Sequence, residues 1–404
     1  MWADTHTLSF IMATSSHSLL KIKQVREAFP VLKEVVYLNV GTYGLMPEPA
    51  LAEFQTIQAE FERKGVAADG TFGRKAEETR RRVAVLIGAD ADEIAFTRNA
   101  TDGINLVLSG IDWKSGDEVI TTDQEHEAMM HPLLYLQNTK GLKVKLLEVS
   151  PQPDVMVERL DKALTEKTRL VAMSHVSCES GTRLPAQTIS RWAAEHSLLC
   201  LFDGAQVSGV FPMNVREIGC DFYTSNGHKW LSGPKGTGFF YGRLDKLVAL
   251  SPAHVGAGSL QRVDIPARVA ELFPTGQRFE FGTRAWALQA GLGSSLDWFE
   301  GLGWENVYSH IAALSAYLKE CILEWPFLRL LTPLSFEESS GLTSFVVDGH
   351  VAGEVSKALR EQWKIHVRVI PHYNAIRIST AHFNNREDLD RLMAALEQIC
   401  RRDH

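Results

Sequence analysis

Cysteine is scarce in this chain, and the few cysteines present are not paired. The 404 residues include five cysteines, an odd number, which lie far apart and show no Cys-x-x-Cys spacing. A disulfide-stabilised secreted domain needs an even, clustered set, so we expect a reduced, cytoplasmic location. The 14 histidines also lack the spacing of a zinc site, and we expect no bound metal.

Long apolar runs and an excess of positive charge are missing as well. No apolar run approaches the roughly 20 residues that span a bilayer, which argues against a membrane helix. Lysine and arginine total 42 against 49 aspartates and glutamates, a formal net charge of −7. That balance argues against nucleic acid or an anionic membrane as a partner. Residues 1–18 lack the basic start of a signal peptide, so we expect a disordered tail in which Met12 is an alternative start to Met1.

The remaining pattern is typical of a globular enzyme with more than one domain. Hydrophobic residues make up 45% and charged residues 23%, and the length favours two or three domains. Between Lys75 and Ile218, short apolar runs alternate with helical segments. Such runs indicate a parallel sheet that is buried on both faces and wound with right-handed crossovers. The predicted strands cover residues 93–97, 118–122, 144–149, 169–175 and 198–202.

The pattern changes after Phe281, where a long helical stretch from Trp286 to Leu323 begins. Predicted strands at 342–347, 365–370 and 375–379 follow, with helices at 352–362 and 386–401. We therefore predict an α/β fold with a large, mostly parallel-sheet domain and a smaller α+β C-terminal domain. The predicted parts are an N-terminal arm at 19–48 that belongs to the small domain, the large domain at 49–285 and the small domain at 286–404.

One lysine lies in a Gly/Pro-rich turn between two apolar strands, in the segment Gly227-His-Lys-Trp-Leu-Ser-Gly-Pro234. Such a turn presents a side chain at the rim of a sheet. The apolar neighbours of Lys229 would desolvate its amine and lower its pKa, which suits Schiff-base chemistry. Upstream, the apolar strand at 201–203 ends in Asp203, as the partner of a pyridinium nitrogen must.

Asp-Gly-Ala-Gln at Asp203 followed by Gly-His-Lys-Trp at Lys229 resembles the class V aminotransferase family. The branch that it resembles holds cysteine desulfurases, cystine C–S lyases and isopenicillin-N-epimerase-like proteins, and the similarity runs from about Phe29 to Arg401. The resemblance implies the PLP-dependent transferase fold of the aspartate aminotransferases (fold type I). It also implies pyridoxal 5′-phosphate (PLP) as cofactor and a homodimer with shared active sites.

The resemblance also implies which residues contact the cofactor. Lys229 binds the cofactor covalently, Asp203 holds its ring nitrogen, and His126 stacks on its ring. His131 is expected to be structural or solvated, with no role in the site. The resemblance also implies that Gln206 bonds the cofactor's O3′. The implied phosphate contacts are Ala100, Thr101, Asn226, His228 and, from the neighbouring subunit, Thr283. Ala100 and Thr101 open a helix after a strand, where backbone N–H groups favour an anion. The family often has Ser or Thr where this chain has Asn226.

On the substrate side, the resemblance implies that Arg377 binds the α-carboxylate in a bidentate pair, which lysine could not mimic. Arg368 is a second candidate for that role. Asn39 falls where the family has substrate-side residues. Cys178 stands where the desulfurases have asparagine, and it is either a reactive thiol facing substrate or a small filler.

The implied chemistry runs through an external aldimine and abstraction of the α-proton of a small L-amino acid by Lys229. Desulfurases attack the substrate sulfur with a cysteine that precedes the carboxylate-binding arginine, but residues 367–377 contain no cysteine. We therefore expect β-elimination of the C–S lyase type on cysteine, cystine or a related S-substituted amino acid. An epimerase or cyclase comes second and an aminotransferase third. A non-catalytic role as scaffold or regulator is a remote alternative, because Lys229 and Asp203 are both present. The substrate's side chain stays open.

Overall fold

The computed structural model describes residues 20–402, without the side chains of Asp69 and Arg402. The tail predicted at 1–18 and the choice between Met1 and Met12 lie outside the described residues. The α-helices of the described range are α1 (Ile22–Glu27), α2 (Glu48–Lys64), α3 (Asp69–Ile87), α4 (Ala100–Gly110), α5 (Glu127–Lys140), α6 (Pro153–Ala163), α7 (Ala186–Glu195), α8 (Val215–Ile218), α9 (Leu244–Leu247), α10 (Trp286–Leu302), α11 (Trp304–Leu323), α12 (Ala352–Trp363) and α13 (Arg386–Arg402).

The strands form one large sheet, one small sheet and two short pairs. They are β1 (Val36–Tyr37), β2 (Ile94–Thr97), β3 (Glu118–Thr122), β4 (Lys143–Leu147), β5 (Thr168–Ser174), β6 (Leu199–Asp203), β7 (Phe222–Asn226), β8 (Gly238–Gly242), β9 (Leu260–Asp264), β10 (Val269–Leu272), β11 (Leu328–Leu330), β12 (Leu342–Val347), β13 (Ile365–His366), β14 (Arg368–Ile370) and β15 (Ala375–Ser379).

The large sheet has seven strands in the order β2-β8-β7-β6-β5-β3-β4. Neighbouring strands are parallel except that β8 runs antiparallel to β2 and β7. Apolar side chains from α3, α6, α7 and α10 pack in one core cluster with the sheet, and those from α4 and α5 pack in another. The sheet is therefore buried on both faces, which explains its short, continuous apolar strands.

The small sheet is antiparallel throughout, in the order β11-β12-β15-β14. Helices α11, α12 and α13 share a hydrophobic core with it. Strand β1 of the N-terminal arm pairs in parallel with β13, with Val36 opposite Ile365. The arm thus contacts the C-terminal part of the chain. Among the described residues, no helix has both the length and the apolar character that crossing a bilayer requires.

The predicted α/β fold is confirmed, with strands 118–122, 342–347 and 375–379 and helix 186–195 at the predicted bounds. Three local features differ. The helical stretch from Trp286 to Leu323 is two helices, since Gly303 adopts a left-handed φ of 80°. The run 365–370 is two short strands with different partners. The hairpin β9–β10 was not predicted, and its largely exposed strands lack a buried apolar run.

The connection after Gly303 is also where the helices change partners. Helix α10 packs against α2 and α3, and its Leu292 and Leu296 lie in the core of the large sheet. Helix α11 packs instead on the small sheet. Leu292 and Leu296 of α10 therefore contribute to the core of the large sheet, and the predicted division into domains stays a prediction.

The loop after β1 lies against the turn that contains Lys229. The backbone N–H of Gly44 donates a hydrogen bond of 2.8 Å to the carbonyl oxygen of His228. A Cβ on Gly44 would lie 2.0 Å from the carbonyl oxygen of Lys229. The φ of Gly44 is not in the left-handed region. Glycine is therefore needed here because two backbones approach each other closely, and not for turn geometry.

Replacing Gly44 by alanine should lower the free energy of unfolding by about 1–3 kcal/mol, because the added methyl group meets a backbone carbonyl that cannot rotate away. The matched control is Gly73→Ala within α3, where a Cβ would meet nothing within 4 Å. That variant should be stabilised by roughly 0.5–1 kcal/mol through helix propensity. Urea unfolding of both variants measures the difference, and equal effects would contradict the close approach.

Candidate active site

The carboxyl ends of five parallel strands meet at one edge of the large sheet, where open α/β sheets bind ligands. A cavity of about 620 Å³ lies there, closed on its far side by residues of β14 and β15. Most of the predicted site residues line it: Ala100, Thr101, His126, Cys178, Asp203, Gln206, Asn226, His228, Lys229, Arg368 and Arg377. The chain thus brings together residues that lie up to 277 positions apart, from 100 to 377.

Asp203 ends β6 and Lys229 follows β7, the adjacent parallel strand. Burial raises the pKa of the Asp203 carboxyl, although the nearby Lys229 ammonium acts in the opposite direction. Burial lowers the pKa of Lys229, opposed by Asp203 and reinforced by Arg377. Asp203 Oδ1 accepts a hydrogen bond of 2.8 Å from the Ala205 N–H. Its other oxygen accepts none from the described residues, which leaves an acceptor for a ligand.

His126 caps the start of α5, where its Nδ1 accepts a hydrogen bond of 3.0 Å from the Ala128 N–H. With Nδ1 as acceptor, the ring proton lies on Nε2. Burial and then the charges of Lys229 and Arg377 lower the pKa of His126 to about 4. At neutral pH the cavity therefore contains an uncharged imidazole with a defined tautomer. His131 lies farther along α5, exposed and outside the cavity lining.

Gln206 is buried behind Asp203 and held at both ends of its amide. Its Oε1 accepts a hydrogen bond of 2.9 Å from Trp230 Nε1, and its Nε2 donates one of 2.9 Å to the Gly41 carbonyl. An amide nitrogen has two protons, so one N–H remains for a ligand. The side chain cannot turn without losing both bonds, which makes its remaining donor a fixed feature of the cavity wall.

The N-terminus of α4 forms one end of the cavity. Asn99 caps the helix by accepting a hydrogen bond of 2.9 Å from the Asp102 N–H. The buried Asn226 accepts one of 2.9 Å from the Ala100 N–H through its Oδ1. The NH₂ group of Asn226 is then left as a donor at the start of α4. His228 lies nearby, with Nδ1 3.2 Å from the Thr237 carbonyl. This donor-rich end suits an anion such as a phosphate.

Arg377 lies at the opposite end, on β15, and is only 4% exposed. Its guanidinium donates to the Cys178 carbonyl at 2.6 Å and to Thr42 Oγ1 at 3.4 Å. Its Nε has no hydrogen-bond partner, and no carboxylate pairs with it among the described residues. Burial lowers the pKa of Arg377 to about 10. A buried cation with a spare donor is a strong site for a carboxylate.

Cys178 lines the cavity, and its carbonyl oxygen accepts the hydrogen bond from Arg377. Burial raises the pKa of the Cys178 thiol to about 11, and the positive charges of Arg377 and Lys229 only partly oppose that rise. The thiolate form is therefore disfavoured at neutral pH. The other four cysteines do not line the cavity.

Two predicted residues do not line the cavity. Asn39 lies one step behind it, where its Oδ1 accepts a hydrogen bond of 2.8 Å from Thr42 Oγ1, and Thr42 in turn contacts Arg377. Thr283 lies on an exposed segment outside the cavity of its own chain. Their predicted roles at substrate and at a partner's phosphate site stay predictions.

Sequence reasoning missed Glu125, a buried carboxylate in the cavity wall directly before His126. It accepts hydrogen bonds from Thr122 Oγ1 at 2.7 Å and from Ser174 Oγ at 2.6 Å, and so joins the ends of β3 and β5. Burial raises its pKa to about 7 despite these bonds. The position of Glu125 just after a predicted strand could have indicated a site residue. A charged residue in such a loop is, however, more often exposed to solvent. Sequence reasoning also missed Lys235, which lines the cavity from the turn that follows Lys229.

The fold and the site together define an α/β enzyme of fold type I, with a lysine and an aspartate at adjacent strand ends. The chain belongs to the class V aminotransferase family, since residues 48–392 match Aminotransferase class-V. Within the described residues, no cluster of side chains is suited to hold a metal ion.

Curated relatives and solved structures extend over nearly the whole chain. A cysteine desulfurase of Serratia proteamaculans is 32% identical, covering 94% of this chain and 98% of its own. A probable cysteine desulfurase of Methanothermobacter thermautotrophicus is 30% identical over the same shares. The cystine C–S lyase C-DES, solved with its product cysteine persulfide, has a TM-score of 0.84 at 28% identity, covering 91% of this chain and 98% of its own. A lysine-to-alanine mutant of C-DES with glycine linked to the PLP cofactor has a TM-score of 0.85, also at 28% identity, covering 92% and 98%.

The residues present fit PLP as the expected cofactor. The open oxygen of buried Asp203 suits a protonated ring nitrogen, and the free N–H of Gln206 suits the ring's phenolic oxygen. The unpartnered amide NH₂ of Asn226 at the start of α4 suits a phosphate. The amine of Lys229 lies in the same cavity. Every polar group of the cofactor thus has a complementary group in this chain.

The tautomer and pKa of His126 predict its behaviour in a pH titration. In the protein without cofactor, its imidazole should stay neutral down to about pH 4. Because this value lies below the unfolded value of about 6.5, protonation favours the unfolded chain. The stability contribution of neutral His126 is therefore complete above about pH 6.5 and is lost as the pH falls through about 4.

NMR of histidine labelled at Cε1 measures this pKa, with His126→Gln to assign the resonance. The exposed His131 provides an internal comparison in the same spectra. A titration of His126 with an ordinary pKa near 6.5 would show that the ring is solvated and charged in the folded chain.

Proposed function

We propose that this protein is a PLP-dependent lyase that cleaves the C–S bond of cysteine, cystine or a related S-substituted amino acid by β-elimination. Support comes from a cavity that combines Lys229, Asp203 and Arg377. It also comes from relatives named cysteine desulfurase and from the likeness to a cystine C–S lyase. The products are pyruvate, ammonia and a thiol or persulfide.

The residues that would hold PLP are Lys229 at its aldehyde carbon and Asp203 at its ring nitrogen. Gln206 would donate to the phenolic oxygen, and the neutral ring of His126 would face the pyridine. The start of α4, with Ala100 and Thr101, would bind the phosphate together with Asn226 and His228. Bound PLP supplies an electron sink for the pair left on the substrate's α-carbon when its proton is removed.

The chain's own residues orient the substrate and move its proton. Arg377 pairs with the α-carboxylate, which satisfies its spare Nε–H and fixes the amino acid at one end of the cavity. The amine of Lys229 takes the α-proton, and its lowered pKa increases the fraction that is free to act as a base. The Cβ–S bond then breaks with its electron pair on sulfur, which leaves as thiolate and is protonated.

The short link between β14 and β15 favours elimination over the persulfide mechanism of the desulfurases. Only residues 371–374 join these paired strands, and none of them is a cysteine. A cysteine-bearing loop that reaches the substrate sulfur has no place in so short a hairpin. Cys178 is the one cysteine in the cavity lining, and burial keeps its thiol protonated. The sulfur is therefore expected to leave with its electrons.

The test is to incubate the purified protein with L-cysteine, L-cystine and other amino acids, and to measure pyruvate, alanine, sulfide, keto acids and chirality. We expect pyruvate without alanine, loss of turnover in Lys229→Ala, and wild-type activity in Cys178→Ala. Alanine as product, with Cys178→Ala inactive, would instead indicate a desulfurase that uses Cys178. Inversion without pyruvate would indicate an epimerase.

Arg377→Lys should lower kcat/KM by at least about tenfold, or ~1.4 kcal/mol of transition-state binding, because lysine keeps the charge but loses the bidentate geometry. The absorbance of bound PLP should not change, since other residues hold the cofactor. The matched variant is Arg368→Lys at the exposed rim of the same cavity, which should have a smaller effect. The opposite ranking would assign the carboxylate to Arg368, and loss of PLP in Arg377→Lys would make Arg377 structural.

We also propose a homodimer with shared active sites in the cytoplasm. Thr283 lies outside its own cavity, and Phe281, two residues before it, is 46% exposed, as expected of a segment that a second subunit covers. The free thiols of Cys178, Cys200, Cys220 and Cys321 are compatible with a reducing compartment. Light scattering of the active protein tests the dimer, and an active monomer would contradict it.

A further inference from the structure

The anion-binding end of the cavity contains few groups with a net positive charge. Its donors are the N–H groups at the start of α4 and the Asn226 amide, which are neutral. His228 lies beside them, and burial lowers its pKa, so its imidazole is largely uncharged at neutral pH. Arg98 lines the rim but is already paired with Asp102 at 2.8 Å. A phosphate carries close to two negative charges at neutral pH, so this end needs a further cation.

Lys235 is a cation that lines this cavity and contacts the loop beside His228. It lies in the turn Gly233-Pro-Lys-Gly236, and no carboxylate pairs with it among the described residues. Its Nζ donates a hydrogen bond of 2.7 Å to the Gly44 carbonyl. The N–H of the same glycine binds the His228 carbonyl at 2.8 Å. The ammonium is thus attached to the residue that also holds His228, and two of its three protons remain free.

Two observations agree with an ammonium that lacks a counter-charge. Burial lowers the pKa of Lys235, since desolvation disfavours its charged form. The charge of Lys235 also helps to lower the pKa of His228, so the two side chains act on the same region of the cavity. An anion bound close to both side chains would raise both pKa values.

We infer that Lys235 binds the phosphate group of the cofactor and supplies the positive charge that the start of α4, Asn226 and His228 lack. This inference rests on the proposed PLP function. Lys235 also has a second role, because its ammonium donates a hydrogen bond to the loop at Gly44. The same loop contains Thr42, which accepts a hydrogen bond from Arg377. Lys235 therefore links the phosphate-binding end of the cavity to the loop that contacts the substrate-side arginine.

The test compares PLP with pyridoxal, which has the same ring and aldehyde but no phosphate. Dissociation constants for both are measured by absorbance titration of the full-length protein freed of cofactor, for wild type, Lys235→Met and Lys235→Arg. Lys357→Met on the exposed side of α12 is the matched control. We expect Lys235→Met to raise the Kd of PLP at least about tenfold, as for a lost charged hydrogen bond. Its Kd for pyridoxal should change less than about twofold, and Lys235→Arg should retain most of the PLP affinity.

Equal weakening of PLP and pyridoxal binding by Lys235→Met would overturn the inference, because Lys235 would then only hold the Gly44 loop. Unchanged PLP affinity in Lys235→Met would overturn it as well. Both outcomes leave the proposed function intact, since wild type still binds PLP. Failure of wild type to bind PLP at all would refute the proposed function, and the inference about Lys235 with it.

Discussion

The desolvation of two cationic side chains in one cavity is the constraint on which the site depends. Lys229 and Arg377 both have lowered pKa values because they are buried. The charge of Arg377 lowers the pKa of Lys229 further, and both charges lower the pKa of His126. Asp203 lies close enough to offset part of this cost for Lys229, but Arg377 has only uncharged oxygen partners. The protein therefore keeps one buried cation available for an anion, as a carboxylate-binding site requires.

The loop from Asn39 to Gly44 connects the two ends of this arrangement. Gly44 packs on the backbone at Lys229, and Gly41 accepts a hydrogen bond from Gln206. Thr42 contacts Arg377. Because the loop leads out of β1, which pairs with the C-terminal part of the chain, the large and small sheets are coupled through it. A small shift of one sheet against the other would therefore alter both cofactor-side and substrate-side contacts.

The chain is similar over nearly its whole length to relatives named cysteine desulfurase and to a cystine C–S lyase, so overall similarity does not separate their reactions. The difference lies in how a sulfur atom can be attacked or released. In this chain, β14 and β15 are joined by a four-residue connection, Pro371-His-Tyr-Asn374, without a thiol. The cavity also contains a neutral histidine and a protonated Cys178, neither of which is a strong nucleophile. Release of sulfur as a leaving group is the chemistry that these groups permit.

The sequence by itself indicated the α/β class, and its resemblance to the class V aminotransferase family indicated the chemistry of the site. Short apolar strands between amphipathic helices indicate a parallel sheet, and Asp203 and Lys229 follow strands whose carboxyl ends must meet at one edge. Local patterns suffice to bring Asp203 and Lys229 together, because the direction of a strand determines at which edge of the sheet the residues at its end lie. Tertiary structure alone decided the roles of groups that depend on distant backbone. Gly44 is required by the backbone of Lys229, Glu125 accepts a hydrogen bond from Ser174, and Lys235 donates one to Gly44. Desolvation is a property of packing between segments far apart in the chain, so no local pattern contains it.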